Sequence, residues 1–246
     1  MNARDPRFAA VQGVDARVDA VDWRRIGTDL DQAGSAVIEQ LLTPAECTQL
    51  ASLYRDEGLF RSRVVMARHG FGRGEYKYFA YPLPALVAQL RSAVYPRLVP
   101  IANRWNEAMN IAVRYPAQHA DFIARCHAAG QTRPTPLLLR YGANDYNCLH
   151  QDLYGPLVFP LQLTLLLSAP GTEFSGGEFV LVEQRPRAQS RAAVVPLDQG
   201  EAVVFPVHHR PTKGTRGPYR VTMRHGVSRV LSGRRHTLGI IFHDAA

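Results

Sequence analysis

The residues best suited to chemistry lie in the segment from Leu137 to Gly155, LLLRYGANDYNCLHQDLYG. Its His150-Gln151-Asp152 triplet follows an apolar, strand-like run. In an extended chain residues i and i+2 share a face, so an imidazole and a carboxylate aim at one point. A second imidazole, His225, lies 73 residues beyond Asp152 (225 minus 152), at the head of another strand-like segment in RHGVSRVLSGRRHTLGIIFHD. Two neutral imidazoles and one carboxylate occupy one face of an octahedral iron ion and leave three positions open. Arg235, ten residues after His225 (235 minus 225), carries a planar fork of donors that suits the carboxylate of an acidic cosubstrate. Arg234 faces the other way by strand alternation.

A His-x-acid triplet alone decides little. With nine His and 21 acidic residues in 246, chance supplies roughly 0.8 of them. A second such triplet, His119-Ala120-Asp121, sits in the helical-looking stretch AQHADFIARCHAAG, where residues i and i+2 do not share a face, and it is set aside. Cys47, Cys126 and Cys148 are odd in number and far apart, which points to buried reduced thiols rather than disulfides or a Cys-x-x-Cys metal site. His208, His209 and His243 give no pattern of a second metal site.

The elements around these residues follow from local signals. Residues 1 to 20 are polar and alanine-rich, which predicts a loosely held start. Asp22 to Ala33 reads as a helix, and Ser35 to Leu42 as a short strand. Thr43-Pro44-Ala45-Glu46 combines an N-cap Thr, a Pro at the first helical position and a capping-box Glu, which predicts a helix to about Tyr54. Arg61 to Tyr81 interleaves basic and aromatic residues around Gly70, Gly72 and Gly74. That texture suits either an aromatic hairpin or a loop that stacks a base and holds its phosphates. Pro84 to Arg125 is helical in pattern, with Leu86, Leu90, Val94 and Leu98 as its core stripe and breaks or kinks expected at Pro96, Pro100 and Pro116.

From Thr135 the texture turns to short strands between Gly, Pro, Asn and Asp turns: 136–141, 160–167, 178–183, 192–195, 201–205 and 236–243. HHRPTKGTRGPYR, from His208, shows no helix or strand pattern and reads as a solvated basic loop, with contact to substrate phosphates as the alternative. The expected architecture is α+β: a double-stranded β-helix, or jelly-roll, core at 135–246, with helical support and substrate-side loops at 1–134 in one integrated catalytic domain.

Composition sets outer bounds. Apolar content of 46% and charged content of 20% describe an ordinary globular chain. No apolar run reaches membrane-span length and the first residues lack a signal-peptide pattern, so no membrane partner and a cytoplasmic location are expected. The net charge of +8 favours polyanionic partners.

The order His-x-Asp, Gly-Gly-Glu, a Pro-x-x-x-Gly turn, His, then Gly-x-Arg resembles the 2-oxoglutarate and Fe(II)-dependent dioxygenases over residues 135 to 245. RYGANDYNCLHQD is similar to the AlkB group of nucleic-acid demethylases, in which a Tyr at the offset of Tyr141 contacts 2-oxoglutarate. FSGGEFVLVEQ and the spacing to Arg235 look more like prolyl hydroxylases. The chain as a whole, with GEYKYFAYPLP, resembles a bacterial oxygenase family described as acting on damaged DNA. It departs from AlkB at Leu139, where that group carries Asn, and in lacking the terminal Arg-x-Asn-x-Thr-Phe-Arg run.

The resemblance implies His150, Asp152 and His225 as iron ligands and catalytic centre. It implies Arg235, Tyr141 and Thr237 as the 2-oxoglutarate site, dioxygen as second substrate and ascorbate as a candidate reductant. The implied reaction couples decarboxylation of 2-oxoglutarate to succinate with hydroxylation or oxidative demethylation. Its substrate is a single-stranded or damaged nucleic acid, with a prolyl-type protein side chain or a small molecule as alternatives. A non-catalytic metal-binding or ligand-binding sandwich is the reading from another class.

Overall fold

The computed structural model describes residues 13–215 and 217–246. Two short helices come first, α1 (Val14–Ala20) and α2 (Trp23–Ala33). Most of the stretch expected to be loose is therefore either α1, whose Val14 and Val18 are buried, or lies outside the described residues. Asp22 caps α2 by accepting from the amides of Arg24 and Arg25. Strand β1 (Ala36–Ile38) leads to α3 (Pro44–Ser52), which opens with the capping box of Thr43 and Glu46.

Three strands follow, β2 (Phe60–Val65), β3 (Gly72–Arg73) and β4 (Glu75–Phe79), and then helices α4 (Ala85–Ala108) and α5 (His119–Ala128). Helix α4 runs through Pro96 and Pro100 instead of ending at either. Both prolines lie toward solvent, where water can serve the carbonyls that lose their helical partners. The opposite face buries Leu90, Val94, Leu98, Ala102 and Trp105, and that burial outweighs the lost bonds.

The remaining chain is β5 (Leu137–Tyr141), β6 (Tyr146–His150), β7 (Leu161–Leu166), β8 (Phe174–Gly176), β9 (Phe179–Gln184) and β10 (Arg191–Val195). It closes with β11 (Ala202–Pro206), β12 (His209–Gly214), β13 (Gly217–Val227), β14 (Val230–Gly233) and β15 (Arg235–Ile241). One sheet has the order β1-β11-β7-β15-β5-β4-β2. The other runs β10-β9-β13-β6-β3, with β12 on β13. The two form a double-stranded β-helix. Segments before residue 135 supply more than helices and loops, since β1, β2, β3 and β4 all join these sheets.

Strand alternation divides the larger sheet into two faces. Leu163 and Leu165 of β7, Leu238 and Ile240 of β15 and Leu138 of β5 pack in one apolar cluster with Leu90, Val94 and Leu98 of α4. Their neighbours Gln162, Thr164, Thr237 and Leu139 turn inward and line a cavity between the sheets. The helices thus brace one face and leave the other free for a site.

Residues 208–220 are a hairpin, not a solvated loop. Strands β12 and β13 pair from His209 with Thr222 to Gly214 with Gly217. The side chain that anchors the hairpin is the fully buried Arg210, which pairs with buried Glu183 and donates to the Asp31 carbonyl at 3.0 Å. A charged residue facing inward erases the apolar alternation by which strands are recognised.

Candidate active site

Strand β6 carries His150 at its end, and Asp152 follows two residues on, just past the strand. Strand β13 pairs with β6 and sets His225 opposite His150. His225 therefore lies near the C-terminal end of a long strand, not at the head of one as its flanking residues imply. Asp152 Oδ2 stands 3.2 Å from His225 Nε2, and Asp152 Oδ1 stands 3.6 Å from His150 Nε2. One ligand atom from each of the three residues lies within 4.8 Å of the others. Metal–ligand bonds of about 2.1 Å place neighbouring ligand atoms roughly 3 Å apart, so small adjustments close this face around a divalent ion.

The surrounding bonds prepare these groups for a metal. His150 Nδ1 lies 2.8 Å from the Cys148 carbonyl, which can only accept, so Nδ1 carries the proton and Nε2 presents its lone pair to the site. Burial alone would raise the Asp152 carboxyl. The hydrogen bond from His225, the electrostatic coupling to both neighbouring imidazoles and the Tyr154 hydroxyl outweigh it and hold the group below the usual carboxylate range. Burial lowers His225, and a proton on neighbouring His150 would lower it further, against the pull of Asp152, which favours the neutral imidazole. Tyr154 donates to Asp152 Oδ1 at 2.7 Å and accepts from the Tyr78 hydroxyl at 2.9 Å. The carboxylate is thereby held through Oδ1, the oxygen nearer His150, while Oδ2 stays toward His225.

The triad opens on a cavity of about 310 Å³ that reaches Arg235 and Thr237 on β15 and Tyr141 on β5. Arg235 is 2% exposed, and its Nε and Nη1 have no hydrogen-bond partner among the described residues. The Tyr141 hydroxyl beside it is buried and equally unpartnered. Burial pushes the guanidinium down to about 10, with only partial help from Tyr141 and Glu178. A buried cation with free donors is costly unless an anion completes it, and a carboxylate is the natural complement. Gly177 makes room for this arrangement: at φ +66°, a Cβ there would sit 3.0 Å from Arg235 Cδ and 2.8 Å from Val230 Cγ2. Gly239 likewise passes under Leu137, whose Cδ2 a Cβ would meet at 2.6 Å. The donor set fits a 2-oxo dicarboxylic acid held by its far carboxylate.

A family described as "Oxygenase, catalysing oxidative methylation of damaged DNA" matches residues 74–245, well over half of the chain. The chain belongs to this oxygenase family. Two uncharacterized proteins of Mycobacterium tuberculosis are 51% identical to it over 168 residues, 68% of this chain and 72% of theirs. Its fold is also that of solved 2-oxoglutarate–Fe(II) oxygenases. A Pseudomonas putida prolyl-4-hydroxylase superposes with TM-score 0.53 at 14% identity, covering 88% of this chain and 96% of that one. A Burkholderia pseudomallei oxidoreductase of the 2OG-Fe(II) oxygenase family gives 0.54 at 15% identity, covering 92% and 94%. A Trichoplax adhaerens prolyl hydroxylase, solved with a peptide of hypoxia inducible factor, gives 0.55 at 13% identity, covering 93% and 91%.

In this oxygenase the six residues singled out by motif, His150, Asp152, His225, Arg235, Tyr141 and Thr237, all line one cavity. His119 does not. It sits on α5 and bonds the Phe242 carbonyl at 2.8 Å. The basic and aromatic stretch at 61–81 divides. Phe71 and Tyr76 reach the cavity, whereas Lys77 is buried against the Tyr54 carbonyl and Glu57. Arg63 and Arg140 pair with Glu75 on the sheet's other face. Cys148 is exposed, unlike buried Cys47 and Cys126. Two further site residues belong to no motif. Tyr154 continues the His150, Asp152 spacing by two more positions, and Gln162 interrupts the apolar run LQLTLLL on the inward face. Gln162 is 2% exposed and its Nε2 is unpartnered among the described residues. No helix among the described residues is long and apolar enough to cross a membrane.

Proposed function

We propose that this oxygenase works with Fe(II) held by His150, Asp152 and His225 and with 2-oxoglutarate held by Arg235, Tyr141 and Thr237, and that its substrate is a damaged, single-stranded nucleic acid. The observation that carries the cofactor reading is the buried Arg235, whose donors lack partners, in the same cavity as the three ligands. Iron, the oxo acid and dioxygen supply the oxidant, as the fold leads one to expect. The chain's own task is placement. Tyr154 and the Cys148 carbonyl orient ligands, Arg235 fixes the distal carboxylate, and the apolar walls exclude water.

The family's description supports the nucleic-acid substrate, and the rim of the cavity suits one. Phe71 and Leu149 line the mouth and are each 47% exposed, and the His69 ring stacks on Phe71 at 5.3 Å. Such a platform suits a base taken out of its stack.

Anaerobic titration with Fe(II) and 2-oxoglutarate tests the cofactor site through the visible metal-to-ligand charge-transfer band. We expect the band in wild type, its loss in His150→Ala, and at least about a tenfold weaker 2-oxoglutarate affinity in Arg235→Ala, which leaves a buried carboxylate unpaired. A folded wild type without the band overturns the iron assignment. Succinate release stimulated by alkylated single strands and not by proline-rich peptides supports the substrate reading, and the reverse replaces it with protein hydroxylation.

A further inference from the structure

A second cavity of about 280 Å³ lies beside the first, between the end of α4, helix α5, the segment after Asp152 and the base of the β12–β13 hairpin. Its rim holds Arg114, Arg125 and Arg220 together with His208 and His209, and no Asp or Glu lines it. None of the three arginines forms an ion pair among the described residues. Arg114 donates to the carbonyls of Ile111 and Val113 at 2.6 and 3.0 Å, and Arg125 donates to the Arg114 carbonyl at 3.2 Å. Carbonyls orient the Arg114 and Arg125 guanidinium groups without cancelling their charge. The floor is apolar, with Val113 and Leu153 50% and 51% exposed.

The wall is held in place before any ligand arrives. Asn103 clasps Tyr115 by accepting from its amide at 2.8 Å and donating to its carbonyl at 3.2 Å, and Asn106 donates to the Val113 carbonyl at 3.0 Å. The cleft also adjoins the iron site. Leu153 lines its floor while the adjacent Asp152 and Tyr154 face the first cavity. Gln151 ties that segment to the hairpin by donating to the Met223 carbonyl at 2.8 Å.

We infer that this cleft is a nucleotide subsite, in which the arginines take a phosphodiester flanking the reactive base and the apolar floor takes the neighbouring base. The inference rests on the nucleic-acid reading above. Charge complementarity without any carboxylate at the rim selects an anion, and the exposed Val113 and Leu153 select one with a flat apolar part. The position beside Asp152 selects a neighbour in the same strand.

The test uses the full chain with Fe(II) and 2-oxoglutarate under anaerobic conditions. The probes are a fluorescein-labelled single strand of about 12 nucleotides with one central alkylated base, and the same alkylated base as a mononucleotide. Arg125→Gln/Arg220→Gln is expected to weaken strand binding at least about tenfold at roughly 100 mM salt and to lower the salt slope by about 0.7, the loss of one phosphate contact. Mononucleotide binding and the charge-transfer band stay as in wild type, and in separate aerobic turnover KM for the strand rises with kcat unchanged. Strand affinity and slope equal to wild type overturn the subsite while leaving the nucleic-acid reading intact. A wild type that shows the band and binds no strand removes that reading and the subsite with it.

Discussion

Tyr154 is the side chain outside the ligand set with the most direct hold on the iron site. It donates to one Asp152 oxygen while the other faces His225. Burial and the Asp152 charge push its own hydroxyl well above the ordinary tyrosine range, so it stays a donor at working pH. Tyr154→Phe keeps the ring and removes that bond. The expected result is Fe(II) affinity weaker by about tenfold or more with unchanged unfolding, since partners of metal ligands carry that much. Equal affinity in the variant would show that His225 alone orients the carboxylate. His150, Asp152 and Arg235 were legible in the sequence because their positions follow strand alternation. Tyr154 and Gln162 were not: Tyr154 shares the spacing of His150 and Asp152 but belongs to no ligand motif and is fixed by Tyr78 far along the chain, and Gln162 has meaning only against the opposite wall of the cavity.

The β12–β13 hairpin is the element that sequence patterning reads wrongly, and the reason predicts its energetics. Strand β13 carries His225, and β12 holds it in place through Arg210, which reaches Glu183 on β9 and the end of α2. Removing one partner of a buried pair leaves a charge without compensation. Glu183 keeps a contact with the half-exposed Arg185, which softens the loss. Arg210→Met should therefore cost about 3 kcal/mol in urea unfolding, and Glu183→Gln added to it should recover part of that. A double variant that loses the sum of both single effects would show that the pair is not coupled. The capped helices α2 and α3 were plain in the sequence because caps are local. The course of α4 through two prolines was not, because it depends on which side of the helix meets the sheet.

At the scale of the whole molecule, the pattern of half-buried and buried histidines makes the fold sensitive to acid. His119, His208, His236 and His243 are each pushed from 6.5 down to about 4, by burial first and then by positive neighbours. Those neighbours are Arg91 for His119 and His243, Arg140 for His236, and His209 with Arg220 for His208. A histidine depressed in the folded state favours the neutral form there, while the unfolded chain takes up a proton near 6.5. Below 6.5 the unfolded state therefore binds more protons, and stability falls with pH until about 4, where the folded histidines protonate as well. Asp244, which Arg91 holds below its usual 3.8 against the opposing effect of burial, acts in a lower window: its stabilisation is present above 3.8 and lost as pH falls further. Urea midpoints of the metal-free protein should thus be flat above roughly pH 7 and fall steadily toward about pH 4. His119→Gln, remote from the cavity, separates this from titration of the ligands. Its amide can still donate to the Phe242 carbonyl, and it should flatten part of the slope between 6.5 and 4. A midpoint constant across that interval in wild type would mean that these histidines are hydrated in the folded protein, and that the helical layer does not seal the sheet as tightly as its buried leucines indicate.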